Sequence, residues 1–442
     1  MAIDPAAWEA MCLPVRDRYL AVGRNRARRL AIGALHWEAR RRRPDAAPAR
    51  LRLDGRLLVV QPDHLGGVLA ATPAFRLIKE ALPTCDLTVL AGPWGADVAE
   101  HCPAVDRVRT CRFPAFDRTP RARGLFAWFT ERLAPYERAL ATATELRGER
   151  FDAALVLVAD FWPAAVTALA GIPLRLGFGG GEADRFLTHC RRVETPPVGR
   201  AARDLAVGHV AAAQLRLARE LVALAGRAAP EAFDERMAYE PTPADRADAV
   251  RLWRANDLDE ASDVVVMHSA PGGPAKRWPA ERFAIVADHI SGRLGGQVLL
   301  TGGRGDVEEV RKIAARCTRS PVELAGQTSF GALAALFERS RIAIGSDNGA
   351  MHLATARGVP TLRLFGPTDA RVWEGWNGNV SERPLTVSIT SPRVCSPCHR
   401  LDIPEWRTVP GARGDAYPCM DEITVETVID AVERLWRETN AR

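Results

Sequence analysis

Positive charge in this chain is written almost wholly as arginine; lysine stands only at Lys79, Lys276 and Lys312. Lys276 lies in AKRWP (275–279), after the turn Ser269–Pro274 that ends a short apolar run. A compact ammonium where a strand gives way to a helix can neutralise a diphosphate, and free N–H groups of a helix starting near Ala280 add to it. The plainer reading is a surface lysine beside a packed Trp278. A second cluster, GSDNGAMH (345–352), puts Asp347 at a strand end, Gly349 where backbone can come close to a ligand, and His352 in the first helical turn. It reads either as a phosphate or ribose cradle made from helix-terminal N–H groups, or as simple capping by Ser346, Asp347 or Asn348. Asp306, after Gly302-Gly303, suits ribose hydroxyls or a cap, and FGPTD (365–369) repeats the strand-to-helix pattern. None of these is a Walker A loop, which ends in Gly-Lys-Ser/Thr.

Cys395 and Cys398 form CSPCH, and Cys419 follows about twenty residues later. The spacing admits a structural iron or zinc, a disulfide or redox pair, or packing thiols, and three thiolates are one short of the usual four. In the first half, LVVQPDHLGGVLAATP (58–73) reads as strand, glycine-bearing turn and helix, the entry unit of a doubly wound α/β domain.

The elements that must carry these residues follow an α/β rhythm. Strands are predicted at 57–61, 86–90, 107–110 and 153–158, with helices at 68–82, 96–101, 163–170 and 205–225. The arginine- and aromatic-rich stretch 112–132 reads as a mobile loop with a short helix, and Gly177–Gly181 as a loop. After a linker at 230–243 and a helix at 246–253, strands at 264–267, 297–301, 322–324, 342–345 and 361–365 alternate with helices beginning near Ala280, Asp306, Ser329 and Ala350. LAGPWGADV (90–98) echoes LTGGRGDVE (300–308), as two like-folded halves would. The domains expected are a basic helical arm (1–50), an N-terminal Rossmann-like domain (51–235), a linker and helix (236–258), and a C-terminal Rossmann-like domain (259–442).

The totals narrow the class. The chain has 442 residues, 47% hydrophobic and 26% charged, which suits a soluble globular protein with sizeable cores. Its net charge of +6 is concentrated in one place: Arg16, Arg18, Arg24, Arg26, Arg28, Arg29 and Arg40 to Arg43 crowd the arm. The remainder is near neutral, so no nucleic-acid surface is implied. That arm reads as an amphipathic helix packed on the body with a solvated basic face, or as a contact for an anionic membrane surface through residues 16–43. Nine scattered cysteines argue for a reducing compartment, and no apolar stretch approaches a spanning length, so a cytoplasmic protein, at most peripheral to a membrane, is expected.

Four segments together resemble glycosyltransferase family nine, which includes the ADP-heptose:lipopolysaccharide heptosyltransferases. They are DHLGGVLAATPAFR (63–76), PAKRWPAERF (274–283), LAGQTSFGALAAL (324–336) and SDNGAMHLATARGVPTLRLFGPTD (346–369). The resemblance runs from about Leu57 to Val432. It implies a GT-B fold, two Rossmann-like domains facing across a cleft, the first binding the acceptor and the second a nucleotide-sugar. It further implies inverting transfer without a catalytic metal or other cofactor, from an ADP-sugar donor, likened here to ADP-heptose, to a cell-envelope glycolipid or glycan at the cytoplasmic face of the inner membrane. Lys276 would then stabilise the departing diphosphate. Asp347, Asn348, Gly349 and His352 match the donor segment, Thr328 falls where the base is contacted, and Asp306 near the ribose. The late cysteines resemble a cluster that in one branch holds iron on four thiolates, with one cysteine missing here.

One departure matters. The family's turn reads D-x-x-G-D and its second aspartate is the base; here that position is Gly67. Asp63, His64 or Asp160 would have to accept the proton, of which Asp63 is the candidate taken forward. Otherwise the chain transfers by positioning and electrostatics alone, or binds nucleotide-sugar without turnover, as a partner for an active paralogue. A nucleotide-binding envelope protein with a redox or metal role through Cys395 and Cys398 is the third class.

Overall fold

The computed structural model describes residues 26–42, 55–117, 125–179, 181–192, 208–258, 263–270, 272–378, 386–399, 401 and 417–440. These form two compact units, one of the described residues up to 192 with 211–235, the other of 208–210 with those from 236 onward.

In the first unit, six parallel strands lie in the order β3-β2-β1-β4-β5-β6. They are β1 (Arg56–Gln61), β2 (Asp86–Ala91), β3 (Arg107–Thr110), β4 (Ala153–Val156), β5 (Leu174–Gly179) and β6 (His189–Arg192). The central strands are apolar runs because helices cover both faces of such a sheet; Leu57 to Val60 and Ala153 to Val156 are buried. The helices are α1 (Arg26–Arg41), α2 (Leu65–Ala81), α3 (Ala96–Glu100), α4 (Leu125–Glu149), α5 (Phe161–Leu169) and α6 (Val210–Leu224). The arm's described part, α1, packs Ile32, Leu35 and Ala39 into the core that α5 lines; its earlier arginines lie outside the described residues.

Two local expectations are corrected. From Leu125 the stretch read as a loop with a short helix is the start of the 25-residue α4. Ala139, Ala143 and Leu146, at helical spacing, seat it on the core, a face that arginines, aromatics and Pro135 obscure in the sequence. The second correction is at Gly177–Gly181, where Gly177 to Gly179 belong to β5, between β4 and β6. Glycine is needed there for closeness rather than for turning. A Cβ at Gly177 would stand 2.9 Å from Val156 Cβ, and one at Gly179 1.8 Å from Cys190 Sγ.

The second unit repeats the plan, with parallel order β12-β11-β10-β7-β8-β9. Its strands are β7 (Val264–His268), β8 (Gln297–Thr301), β9 (Val322–Glu323), β10 (Ile342–Ser346), β11 (Thr361–Phe365) and β12 (Thr386–Thr390). Its helices are α7 (Pro243–Ala255), α8 (Ala280–His289), α9 (Val307–Ala314), α10 (Phe330–Glu338), α11 (Gly349–Ala356), α12 (Ala370–Trp373), α13 (Pro418–Asp421) and α14 (Val425–Asn440). α7 is fixed at its start by a capping box of Thr242 and Asp245, and Ser329 Oγ, at the start of α10, donates to Asp245. The two echoing sequences are equivalent turns, from β2 into α3 and from β8 towards α9. Strands β6 and β12 and helix α14 add to the elements expected.

In each sheet the chain reverses its direction of winding between two central strands, β1 and β4 in the first, β7 and β10 in the second. Ligands of open α/β sheets bind outside the carboxyl ends of strands at such switch points.

Gly177→Ala, which forces a methyl group against the fixed Val156 backbone, is expected to cost about 1–3 kcal/mol of stability. A denaturant titration checks it: an unchanged midpoint would show that β5 has slack that the packing denies.

Candidate nucleotide-phosphate and acceptor sites

At the second unit's switch point, the chain leaving β7 forms a short 3-10 turn, Pro274–Lys276, before α8. Trp278 fixes this segment: its ring is buried and Nε1 donates to the Ile423 carbonyl at 3.0 Å. The tryptophan is therefore core, as the plainer reading had it, but the lysine is not surface filler. Lys276 Nζ donates to Asp347 Oδ2 at 2.6 Å, and Thr368 Oγ1 donates to the same oxygen at 2.8 Å. Asp347 follows β10, and its N–H donates to the Leu364 carbonyl of β11, so three strand ends converge on one carboxylate.

Burial by itself pushes the Asp347 carboxyl up, but the Lys276 charge and the hydrogen bonds from Lys276 and Thr368 outweigh it and hold it below its ordinary value. His352 Nε2 lies 4.0 Å from Asp347 Oδ1. Burial, helped by the nearby Arg363 guanidinium, depresses the imidazole well below its usual range, so it is neutral at pH 7. Beneath this cluster Arg363 is buried, donating to the Met351 carbonyl and, at 2.5 Å, to Thr355 Oγ1. An arginine inside the apolar run TLRLF was the available signal for it.

Asn348 does the capping: its side chain accepts from Met351 N–H at 3.1 Å and donates to the Ala270 carbonyl at 2.8 Å. That second bond ties the β7 loop to the start of α11, where Gly349 is the first helical residue. The capping in GSDNGAMH is thus the work of Asn348, which leaves Asp347 to pair with Lys276. Ser269 Oγ, Ser346 Oγ, His352 Nδ1 and His399 Nε2 are buried without hydrogen-bond partners. A buried polar atom left unmade costs about 1–3 kcal/mol, and such atoms gathered at strand ends are what a polar ligand would complete. His399, whose imidazole burial holds below its ordinary value, directly follows Cys398 in the sequence.

Asp306 and Thr328 sit further along the sheet, after β8 and β9. Asp306 Oδ2 accepts from Gly303 N–H at 2.9 Å, a local cap. Its loop meets the Thr328 loop through Gly326, whose N–H donates to the Gly302 carbonyl and whose φ of 74° suits glycine. The structure therefore joins Lys276, Asp347 and His352 by direct contact and places Asp306 and Thr328 on two mutually touching loops.

No disulfide joins Cys395, Cys398 or Cys419. Burial, then the neighbouring Cys398 and Cys395, push the Cys419 thiol up to about 12, so it stays protonated. Among the described residues no group of three or more histidine, cysteine or carboxylate side chains is arranged to hold a metal. These cysteines do not fit an iron or zinc site there; residues 402–416 lie outside the described set.

In the first unit, the turn after β1 is braced from within and without. Gln61 is fully buried and donates to the Gly67 carbonyl at 2.9 Å, and Trp94 Nε1 donates to the Pro62 carbonyl at 2.9 Å. Asp63 Oδ1 accepts from His64 N–H at 2.7 Å. A Cβ built on Gly67 would meet Asp63 Oδ2 at 2.2 Å. The Asp63 carboxylate thus fills the space where a side chain at 67 would begin. His64 stacks at a tilt on Trp94, 5.3 Å between ring centroids. Asp160, after β4, caps α5 through Trp162 N–H at 2.9 Å. Among the described residues no helix is long and apolar enough to cross a membrane.

Two doubly wound units with a cation-bearing switch point define a two-domain α/β protein of the GT-B type. The model of glycosyltransferase family 9 (heptosyltransferase) matches residues 139–400, and the chain belongs to that family, a glycosyltransferase. It is 37% identical to Escherichia coli lipopolysaccharide heptosyltransferase 3 over 130 residues, which span 28% of this chain and 38% of that protein, little more than a third of it. To lipooligosaccharide heptosyltransferase 2 of Haemophilus ducreyi it is 26% identical over 322 residues, 71% of this chain and 84% of that one. In fold it is similar to the E. coli ADP-heptose lipopolysaccharide heptosyltransferase II, with a TM-score of 0.62 and 19% identity over 87% of this chain and 99% of the other.

Lys276→Met is expected to strip the Asp347 carboxylate of its main counter-charge and cost about 3–5 kcal/mol. Sign and pH range follow from the depressed carboxyl. In the wild type its contribution to stability is present above the unfolded-state pKa and is lost as pH falls through the lower folded value. In Lys276→Met burial dominates, the carboxyl rises, and stability should instead decline as pH increases towards neutrality. Unfolding midpoints followed against pH check this; parallel profiles for the two proteins would contradict it.

Proposed function

We propose that this chain is an inverting sugar transferase that moves heptose from ADP-heptose to a cell-envelope glycolipid at the cytoplasmic face of an inner membrane. The observation that carries the reading is the Lys276–Asp347 pair at the second unit's switch point, at 2.6 Å and with Lys276 still partly open to solvent. An ammonium held there is aimed at negative charge that grows on a leaving diphosphate, and the N-terminus of α11 beside it adds N–H groups. The names of the similar proteins, lipopolysaccharide and lipooligosaccharide heptosyltransferases, support the choice of sugar and acceptor class.

In this reading the donor diphosphate lies against Lys276, Asn348, Gly349 and His352, with Asp347 holding the lysine in place. Asp306 takes the ribose and Thr328 the base. The acceptor hydroxyl gives its proton to the Asp63 carboxylate as its oxygen attacks the anomeric carbon from the face opposite the diphosphate. The bond to the diphosphate oxygen breaks, and ADP leaves with the electron pair. Asp63 is the fitting base because its carboxylate already occupies the place of the side chain that Gly67 lacks. No metal is called for in any of these steps.

With ADP-heptose and a truncated lipid acceptor, the purified protein is expected to release ADP. Lys276→Ala should lower kcat/KM about 10²–10³-fold, and Asp63→Asn about 10²–10⁴-fold. The exchanged variant Asp63→Gly/Gly67→Asp returns a carboxylate to the turn and should recover activity relative to Asp63→Asn. Full activity in Asp63→Asn would remove Asp63 as the base. Donor binding without any ADP release by the wild type would make the chain a nucleotide-sugar binder.

A further inference from the structure

Helix α1 has two apolar faces, and among the described residues only one is covered. Ile32, Leu35 and Ala39 point into the first unit's core. On the opposite side Leu30, Ala34, Trp37, Arg40 and Arg41 are all exposed, at the i, i+4, i+7, i+10 and i+11 spacing of a single stripe. Exposure is extensive at the apolar positions: Leu30 is 75% exposed and Trp37 60%. A tryptophan so placed is costly in water and is found where one end of the ring meets apolar matter and the other meets a wet, polar boundary. Arg41 lies over the Trp37 ring, 4.7 Å from its centroid, so cation and apolar anchor form one patch.

Charge chooses the occupant. Across Arg26–Arg42 the sequence has one acidic residue, Glu38, and its carboxylate is held by Arg42 at 2.7 Å. The stripe itself presents arginine and no carboxylate. A second copy of the same face would set arginine against arginine. We propose that the exposed face of α1 docks on an anionic lipid bilayer, Leu30 and Trp37 entering the headgroup boundary and Arg40 and Arg41 meeting lipid phosphates. Insertion of two apolar side chains is weak alone, as is a short run of cations, and a stable peripheral contact needs both kinds of signal. This inference does not depend on the proposed sugar transfer.

Sedimentation of the full chain with phosphatidylcholine–phosphatidylglycerol vesicles tests it. Capture is expected on these vesicles and not on phosphatidylcholine alone, and should fade as added salt screens the arginines. Leu30→Ser/Trp37→Ser and Arg40→Gln/Arg41→Gln should each lower the partition coefficient about tenfold. Their unfolding midpoints should match the wild type, since all four side chains face solvent. No capture of the wild type, equal capture by neutral vesicles, or undiminished capture of both variants would overturn the proposal. So would duplex DNA binding as tight as vesicle binding, or a dimer in solution that the Trp37 variant abolishes.

Discussion

Much of the second unit's site depends on one buried ion pair. Asp347 is almost wholly enclosed, and a carboxylate taken from water into such a place must be matched by charge and hydrogen bonds or it takes up a proton. Lys276 and Thr368 supply the match on one oxygen. They come from the ends of two different strands, β7 and β11, while the aspartate follows β10. The pair therefore pins the loops of the switch point as well as neutralising each other. A lysine already fixed by its partner has less side-chain freedom to lose, and in the proposed function that is preorganisation for the donor phosphates.

Burial around the pair keeps the nearby imidazoles uncharged. His352 and His268 are both buried and both neutral, the latter with its pKa brought down to about 4 by burial. His209, stacked on Trp376 at 4.7 Å, is likewise lowered to about 4 by burial. His268 and His209 serve as neutral hydrogen-bonding groups, to Thr301 Oγ1 and the Glu374 carbonyl, and the cation paired with Asp347 is Lys276.

Legibility in the sequence followed the range of the interactions. The Rossmann-like halves were readable because buried parallel strands are continuous apolar runs, and because Pro and Gly mark the turns between them. Lys276 stood out by its rarity, and Asp347 and His352 by the strand-to-helix pattern around them. That Lys276 and Asp347 touch could not be read, since 71 residues separate them and only the strand order brings them together. α4 was hidden because its buried alanines carry a weak apolar signal among arginines and aromatics. β5 was hidden because its glycines looked like a turn when they serve close strand packing. α14, with buried Val428, Val432 and Leu435 at helical spacing, was legible but lay outside the motif-bearing segments. Position 67 gave half its meaning in sequence, a missing side chain; the Asp63 carboxylate standing in that space required coordinates.

The central claim is that the Lys276–Asp347 switch point binds the nucleotide phosphates. Calorimetric titration of ADP, with AMP as the comparison, into the wild type and Lys276→Ala tests it most directly. The wild type should prefer ADP over AMP, and Lys276→Ala should lose about tenfold or more in ADP affinity while its AMP affinity changes little. Equal ADP affinity in the two proteins would contradict it and move the phosphate site elsewhere.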